Sequence, residues 1–192
     1  MPVAKRVYIP DTLEAVIGSI EREAMLGMQH PAIVELAIQI ASFVPDRDVL
    51  TPRAHAVAEV AAVHDWCVHN IRYRHDPWML DTTRDIDALF RHRCGDCDCH
   101  TILVSALLMA LGRGVTLWLA GTDAPEHVYP AAVIGETEIA CDATLKRYPV
   151  GAVSKHPNHW RVRGIFIRTP MEFALEAIEQ QRQQSQPTEV KP

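Results

Sequence analysis

Apolar residues recur at helical spacing three times within the first seventy positions. Leu13, Val16, Ile17 and Ile20 accompany Asp11-Thr12-Leu13-Glu14, a run that fits a capping box. Ile33, Leu36, Ala37 and Ile40 follow His30-Pro31 and predict a second helix. Thr51-Pro52, a good N-cap and first-turn pair, opens a third through Val57, Val60, Ala61, His64 and Cys67. The mixed stretch from Ile71 to Arg84, with Asp76-Pro77-Trp78 inside it, predicts a structured loop, and Asp85 to Phe90 a short helix. From Cys97 to Leu111 the pattern is helical and apolar nearly all round, as in a helix buried on most faces. Gly112 supplies its stop.

The pattern then changes. Val115 to Ala120, Val128 to Ile134 and Thr137 to Cys141 read as strands, with Val162 to Ile167 as a fourth. Gly135-Glu136 suits a two-residue hairpin turn with Gly first. Such a turn pairs Ile134 with Thr137 and therefore fixes the register of both strands. Asp142 then faces Tyr129, and His127 lies two positions along on the same face, within side-chain reach of Asp142. A bulge between those strands would break the relation. No internal repeat or domain linker is visible. The division expected is a helical N-terminal extension over 1–50, a core over 51–175 and a disordered, Gln/Ser/Pro-rich tail over 176–192, forming one structural domain.

Composition narrows the class. At 192 residues the chain suffices for one sizeable core. A net charge of −5 and a pI near 6.0 offer no broad basic surface to nucleic acid or anionic lipid. No apolar run is long enough for a membrane span, and Met-Pro-Val-Ala-Lys-Arg leads into no signal region, so a cytoplasmic protein is expected. Five cysteines, an odd number, then read as reduced thiols.

One of them stands out. Cys97, in Arg93-Cys94-Gly95-Asp96-Cys97-Asp98-Cys99-His100, falls where a tight turn feeds the N-terminus of the long apolar helix. Unpaired N–H groups and the positive end of the helix dipole favour thiolate there. His127 and Asp142 follow in the hairpin, so nucleophile, base and orienter occur within one short stretch. The Cys97 backbone N–H is the first oxyanion donor to consider.

This combination resembles the transglutaminase-like superfamily, in its small bacterial and phage-encoded, cysteine-protease-like form. The resemblance covers Ile71 to Leu145. It rests on Ile71-Arg72-Tyr73, Asp76-Pro77, Gly95-Asp96-Cys97-Asp98, the helix running to Gly112, His127-Val128-Tyr129 and Asp142-Ala143-Thr144. It implies an α+β fold in which a central helix bearing Cys packs on an antiparallel sheet, with Cys97, His127 and Asp142 as nucleophile, base and orienter. Where the family often has a second acidic residue, this chain has Cys99. For the second, side-chain oxyanion donor the candidates are Trp78 and Tyr73.

The function expected is cysteine-dependent acyl transfer on a peptide or isopeptide-like amide through a thioester. Hydrolysis is favoured over transamidation because water is always available. The partner is a peptide or protein substrate, with no cofactor, metal, nucleic acid or membrane. One alternative is a non-catalytic structural or binding module, as in a virion, that keeps the fold. Another is a zinc site at Cys94, Cys97, Cys99 and His100, which His156 and His159 could join; against it, structural zinc sites usually draw on two separated pairs and no second cysteine pair follows. His156 and His159 are expected in a loop, His64 on a helix face, and Cys67 and Cys141 in the core.

Overall fold

The structure, a computed structural model, describes residues 12–46, 48–76 and 85–162. Among the described residues there are five helices: α1 (Leu13–Met28), α2 (Pro31–Ala41), α3 (Pro52–Asn70), α4 (Ile86–His92) and α5 (Cys97–Ala110). Six strands accompany them: β1 (Arg72–Tyr73), β2 (Cys94–Gly95), β3 (Gly114–Gly121), β4 (Pro125–Ile134), β5 (Thr137–Ala140) and β6 (Asn158–Arg161). The chain is α+β: α5 packs against an antiparallel sheet of order β5-β4-β3-β6 on one side and against α1, α2, α3 and α4 on the others.

The helices start where side-chain oxygens satisfy first-turn donors. Thr51 Oγ1 accepts from the Ala54 N–H at 3.2 Å, and Pro52 follows at the first helical position. Asp85 Oδ1 accepts from the Ala88 N–H at 2.7 Å. In α1 the cap is Thr12, which accepts from the Ala15 N–H. Glu14 therefore sits one position short of the place a capping box needs and acts only as a first-turn charge on the dipole.

Helix α5 is the core. Ile102, Leu103, Leu107, Leu108 and Met109 are fully buried, each worth roughly 1.5–3 kcal/mol relative to exposure. Gly27 lets α1 approach closely, because a Cβ there would meet the Ala106 Cβ at 2.8 Å. The residues expected as an N-terminal extension thus pack directly on the core helix.

The hairpin has the expected register. Ile134 pairs with Thr137 and Ala131 with Ala140 across a turn in which Gly135 takes φ +62°. Past β5 the pairing continues through Cys141, whose N–H donates to the Pro130 carbonyl at 2.8 Å. There is a bulge, but between β3 and β4: Ala120 pairs with His127 and Gly121 with Pro125, leaving Glu126 as the extra residue. It lies on the far side of β4 from β5, so the relation of His127 to Asp142 survives.

Two features differ from the sequence expectations. Strand β6, Asn158–Arg161, lies just ahead of the stretch expected as a strand and puts His159 in a strand rather than in a loop. Val162 still donates its N–H to the Leu117 carbonyl, while 163–167 and the expected tail lie outside the described residues. Arg72 and Tyr73 pair in parallel with Cys94 and Gly95 inside the stretch expected as a loop. The chain enters β2 through Arg93, a non-glycine at φ 47° that closes α4.

Candidate active site

The α5 N-terminus carries Cys97 at its first helical position. Asp96 is the N-cap, its Oδ1 accepting from the Cys99 N–H at 3.2 Å. The helix then docks on the edge of β4 that β5 leaves uncovered. Val128 donates its N–H to the Cys97 sulfur, and one turn later Thr101 Oγ1 donates to the Val128 carbonyl at 3.1 Å. A single strand residue thereby fixes both the sulfur and the helix that bears it.

His127 precedes Val128 on β4. Its Nε2 donates to Asp142 Oδ2 at 2.7 Å, which leaves Nδ1 as the nitrogen available to Cys97. Cys97 and His127 line one cleft together with Asp96, Asp98 and Val128. Asp142 is 2% exposed and held from several sides. Thr144 donates its N–H and its hydroxyl to Oδ1 at 3.1 and 2.6 Å, and His64 Nε2 donates to the Asp142 carbonyl at 3.3 Å. Burial alone would raise the Asp142 pKa. The hydrogen bond and charge of His127 and the two bonds from Thr144 outweigh it, so the carboxyl lies below its usual range.

Rings flank the imidazole. Tyr129 and His156 lie 6.0 and 6.3 Å from His127 by centroid, and Tyr129 Oη shares a 3.0 Å hydrogen bond with His159 Nδ1. The short parallel pair of β1 with β2 brings Tyr73 to the α5 N-terminus. Burial, then the nearby Cys97 sulfur and the carboxylates of Asp96, Asp98 and Asp142, pushes its pKa to about 12. Its phenol therefore remains a donor at working pH. Trp78 lies outside the described residues.

The electrostatics of Cys97 correct the expectation of a favoured thiolate. Burial pushes its thiol upward, the adjacent carboxylates of Asp98 and Asp96 push further, and the Val128 N–H pulls back only part of the way. The thiol itself points to Asp98 Oδ1 at 3.6 Å. Helix-terminal amides favour an anion, but here two carboxylates sit on the same turn. What distinguishes Cys97 is access: the other four cysteines are buried, and it is partly exposed.

His64, expected on a helix face, is a buried support for Asp142; burial holds its pKa below the usual histidine value. Nothing in the local sequence marks it, because its partner is 78 residues away. His100 is also buried, and burial reinforced by the Lys146 charge takes its pKa down to about 4. Among the described residues no three or more His, Cys, Asp or Glu side chains gather as a metal site, so Cys94, Cys97, Cys99 and His100 do not converge on a common point. Among those residues no helix is long and apolar enough to cross a membrane.

Comparison with known proteins gives no matching family model and no matching curated sequence. Several solved structures are similar in part, among them the three that follow. A candidate protease from Parabacteroides distasonis has 13% identity and a TM-score of 0.49, over 73% of this chain and 31% of its own. A candidate cysteine protease from Cytophaga hutchinsonii has 18% identity and a TM-score of 0.44, over 80% of this chain and 55% of its own. A chain described as a TGase has 14% identity and a TM-score of 0.38, over 80% and 37%. The present chain thus spans between about a third and just over half of each.

Proposed function

We propose that this protein is a cysteine hydrolase acting on a peptide or isopeptide-like amide, with Cys97, His127 and Asp142 as nucleophile, base and orienter. The observation that carries this reading is the 2.7 Å bond to buried Asp142 from Nε2 of His127, which shares a cleft with Cys97. With Nε2 protonated and committed to Asp142, Nδ1 takes the thiol proton as sulfur attacks the carbonyl carbon. The carbonyl π electrons move to oxygen, where the Cys97 N–H and the Tyr73 hydroxyl are the proposed donors. Collapse expels the amine, which leaves with the proton from the imidazolium, and a thioester remains. Water, deprotonated by the same imidazole, releases the acid and restores the thiol. Because Cys97 rests as a neutral thiol, proton transfer and attack are coupled in this scheme.

The elevated thiol pKa is also the one observation that favours a non-catalytic module. An activated ester separates the two readings. With p-nitrophenyl acetate the expected result is a burst of one nitrophenolate per chain and an acetyl group on Cys97, abolished in Cys97→Ser and much reduced in His127→Ala. No burst, or an acetyl group elsewhere, overturns the hydrolase reading.

A further inference from the structure

The cleft beside Cys97 has a mixed lining. Its polar lining includes Asp96, Cys97 and His127; its apolar lining comes largely from α1, through Leu13, Val16 and Ile17, with Leu119 of β3. Leu13 is 40% exposed although it faces its own protein's cleft, and Val16 and Ile17 are half-buried. Their apolar surface is therefore only partly covered by the fold. The polar lining is acidic, from Asp96, Asp98 and Glu126. The cleft encloses about 200 Å³, less than the roughly 300 Å³ at the lower end for a whole drug-sized ligand. That is a space for one side chain next to the amide under attack.

We propose that this α1 lining is a subsite, so that the substrate carries a bulky, uncharged apolar side chain beside the carbonyl that Cys97 attacks. The inference rests on the proposed hydrolase reading and deepens it. Apolar surface on Leu13, Val16 and Ile17 is buried when such a side chain enters. An acidic side chain in the same place meets the carboxylates of Asp96, Asp98 and Glu126. In this arrangement the first helix of the chain sets specificity.

N-acetyl amino-acid p-nitrophenyl esters of Leu, Gly and Asp test this on the full chain. The Leu ester is expected to acylate Cys97 about tenfold or more faster than the Gly ester, in line with what a hydrophobic pocket gains from added methylenes. The Asp ester is expected to be slowest. Leu13→Asp, an acidic residue that the first turn of a helix accommodates, should collapse the Leu-to-Gly ratio toward one, and Leu13→Met should retain it. Leu26→Asp, at an exposed position of α1 that does not line the cleft, should leave the ratio as in the parent. Equal rates for the three esters, or a ratio unmoved by Leu13→Asp, overturn the subsite. If those rates are equal while iodoacetamide labelling of Cys97 still depends on His127, the hydrolase reading stands without it. If no ester acylates Cys97, both fall.

Discussion

Thr101 and Val128 tie the two halves of the site together: the Thr101 hydroxyl donates to the Val128 carbonyl at 3.1 Å, and both residues are buried. Thr101→Val keeps the shape of the side chain and leaves that carbonyl without its donor. The expected cost is about 1–3 kcal/mol of stability, the desolvation penalty of a buried acceptor, read by chemical denaturation. The burst rate should fall as well, because the same bond sets where Cys97 lies relative to β4. A loss of stability with an unchanged burst would separate the bond from the site.

Alkylation of Cys97 should follow its raised thiol pKa. The rate with iodoacetamide is expected to be low at pH 6 and to climb steadily through pH 9, with no plateau in the acid range. Asp96→Asn keeps a capping side chain while removing a negative charge, and Asp98→Asn removes the other. Each should lower the thiol pKa and speed alkylation at pH 8. Peptide mapping after labelling should find Cys97 modified first, since the other four thiols are buried.

The buried histidines make folding acid-sensitive with a definite sign. His100, with a folded pKa of about 4, binds its proton more weakly folded than unfolded, where the value is about 6.5. Stability is full above about pH 6.5 and declines as pH falls toward 4, by up to about 3 kcal/mol from this residue. His64 acts in the same direction. Asp142, whose pKa is lowered, adds a loss that begins only below its unfolded value of about 3.9. His100→Phe should make the pH 4–6.5 limb of a melting-temperature profile shallower, leaving the His64 share and the lower limb in place.

Thr144→Val probes how Asp142 is held. It removes the 2.6 Å hydroxyl bond and leaves the backbone one. The Asp142 pKa should rise, and the acid edge of the burst rate should move upward with it. A shifted pH profile with near-normal rates on the plateau marks a positioning effect, whereas a uniform loss at every pH would indicate simple destabilisation.

Much of this was readable from the sequence where the physics is local. Gly135-Glu136 sets the hairpin pairing, and the two-residue period of a strand then carries His127 to Asp142. The all-round apolar face of α5 announces its central place. The unread parts arise from contacts between distant segments. The parallel pairing of Arg72 and Tyr73 with Cys94 and Gly95 has no hydrophobic pattern to betray it in two-residue strands. His64 gains its role only once α3 lies against the Asp142 turn. The Cys97 thiol departs from its expectation because the helix dipole is legible in sequence, whereas the burial that opposes it is a property of the packed whole.

Pro130 has a consequence out of proportion to its size. It accepts the Cys141 N–H but has no N–H of its own to return, so the ladder between β4 and β5 gives out there. Two residues further along the ladder, the amide and carbonyl of Val128 are not paired with β5, and α5 takes both. Had the zipper run on, it would have competed with the sulfur and the Thr101 hydroxyl for the same two groups. The imino acid thus works as a full stop in the sheet, and the space after it is where the helix comes to rest.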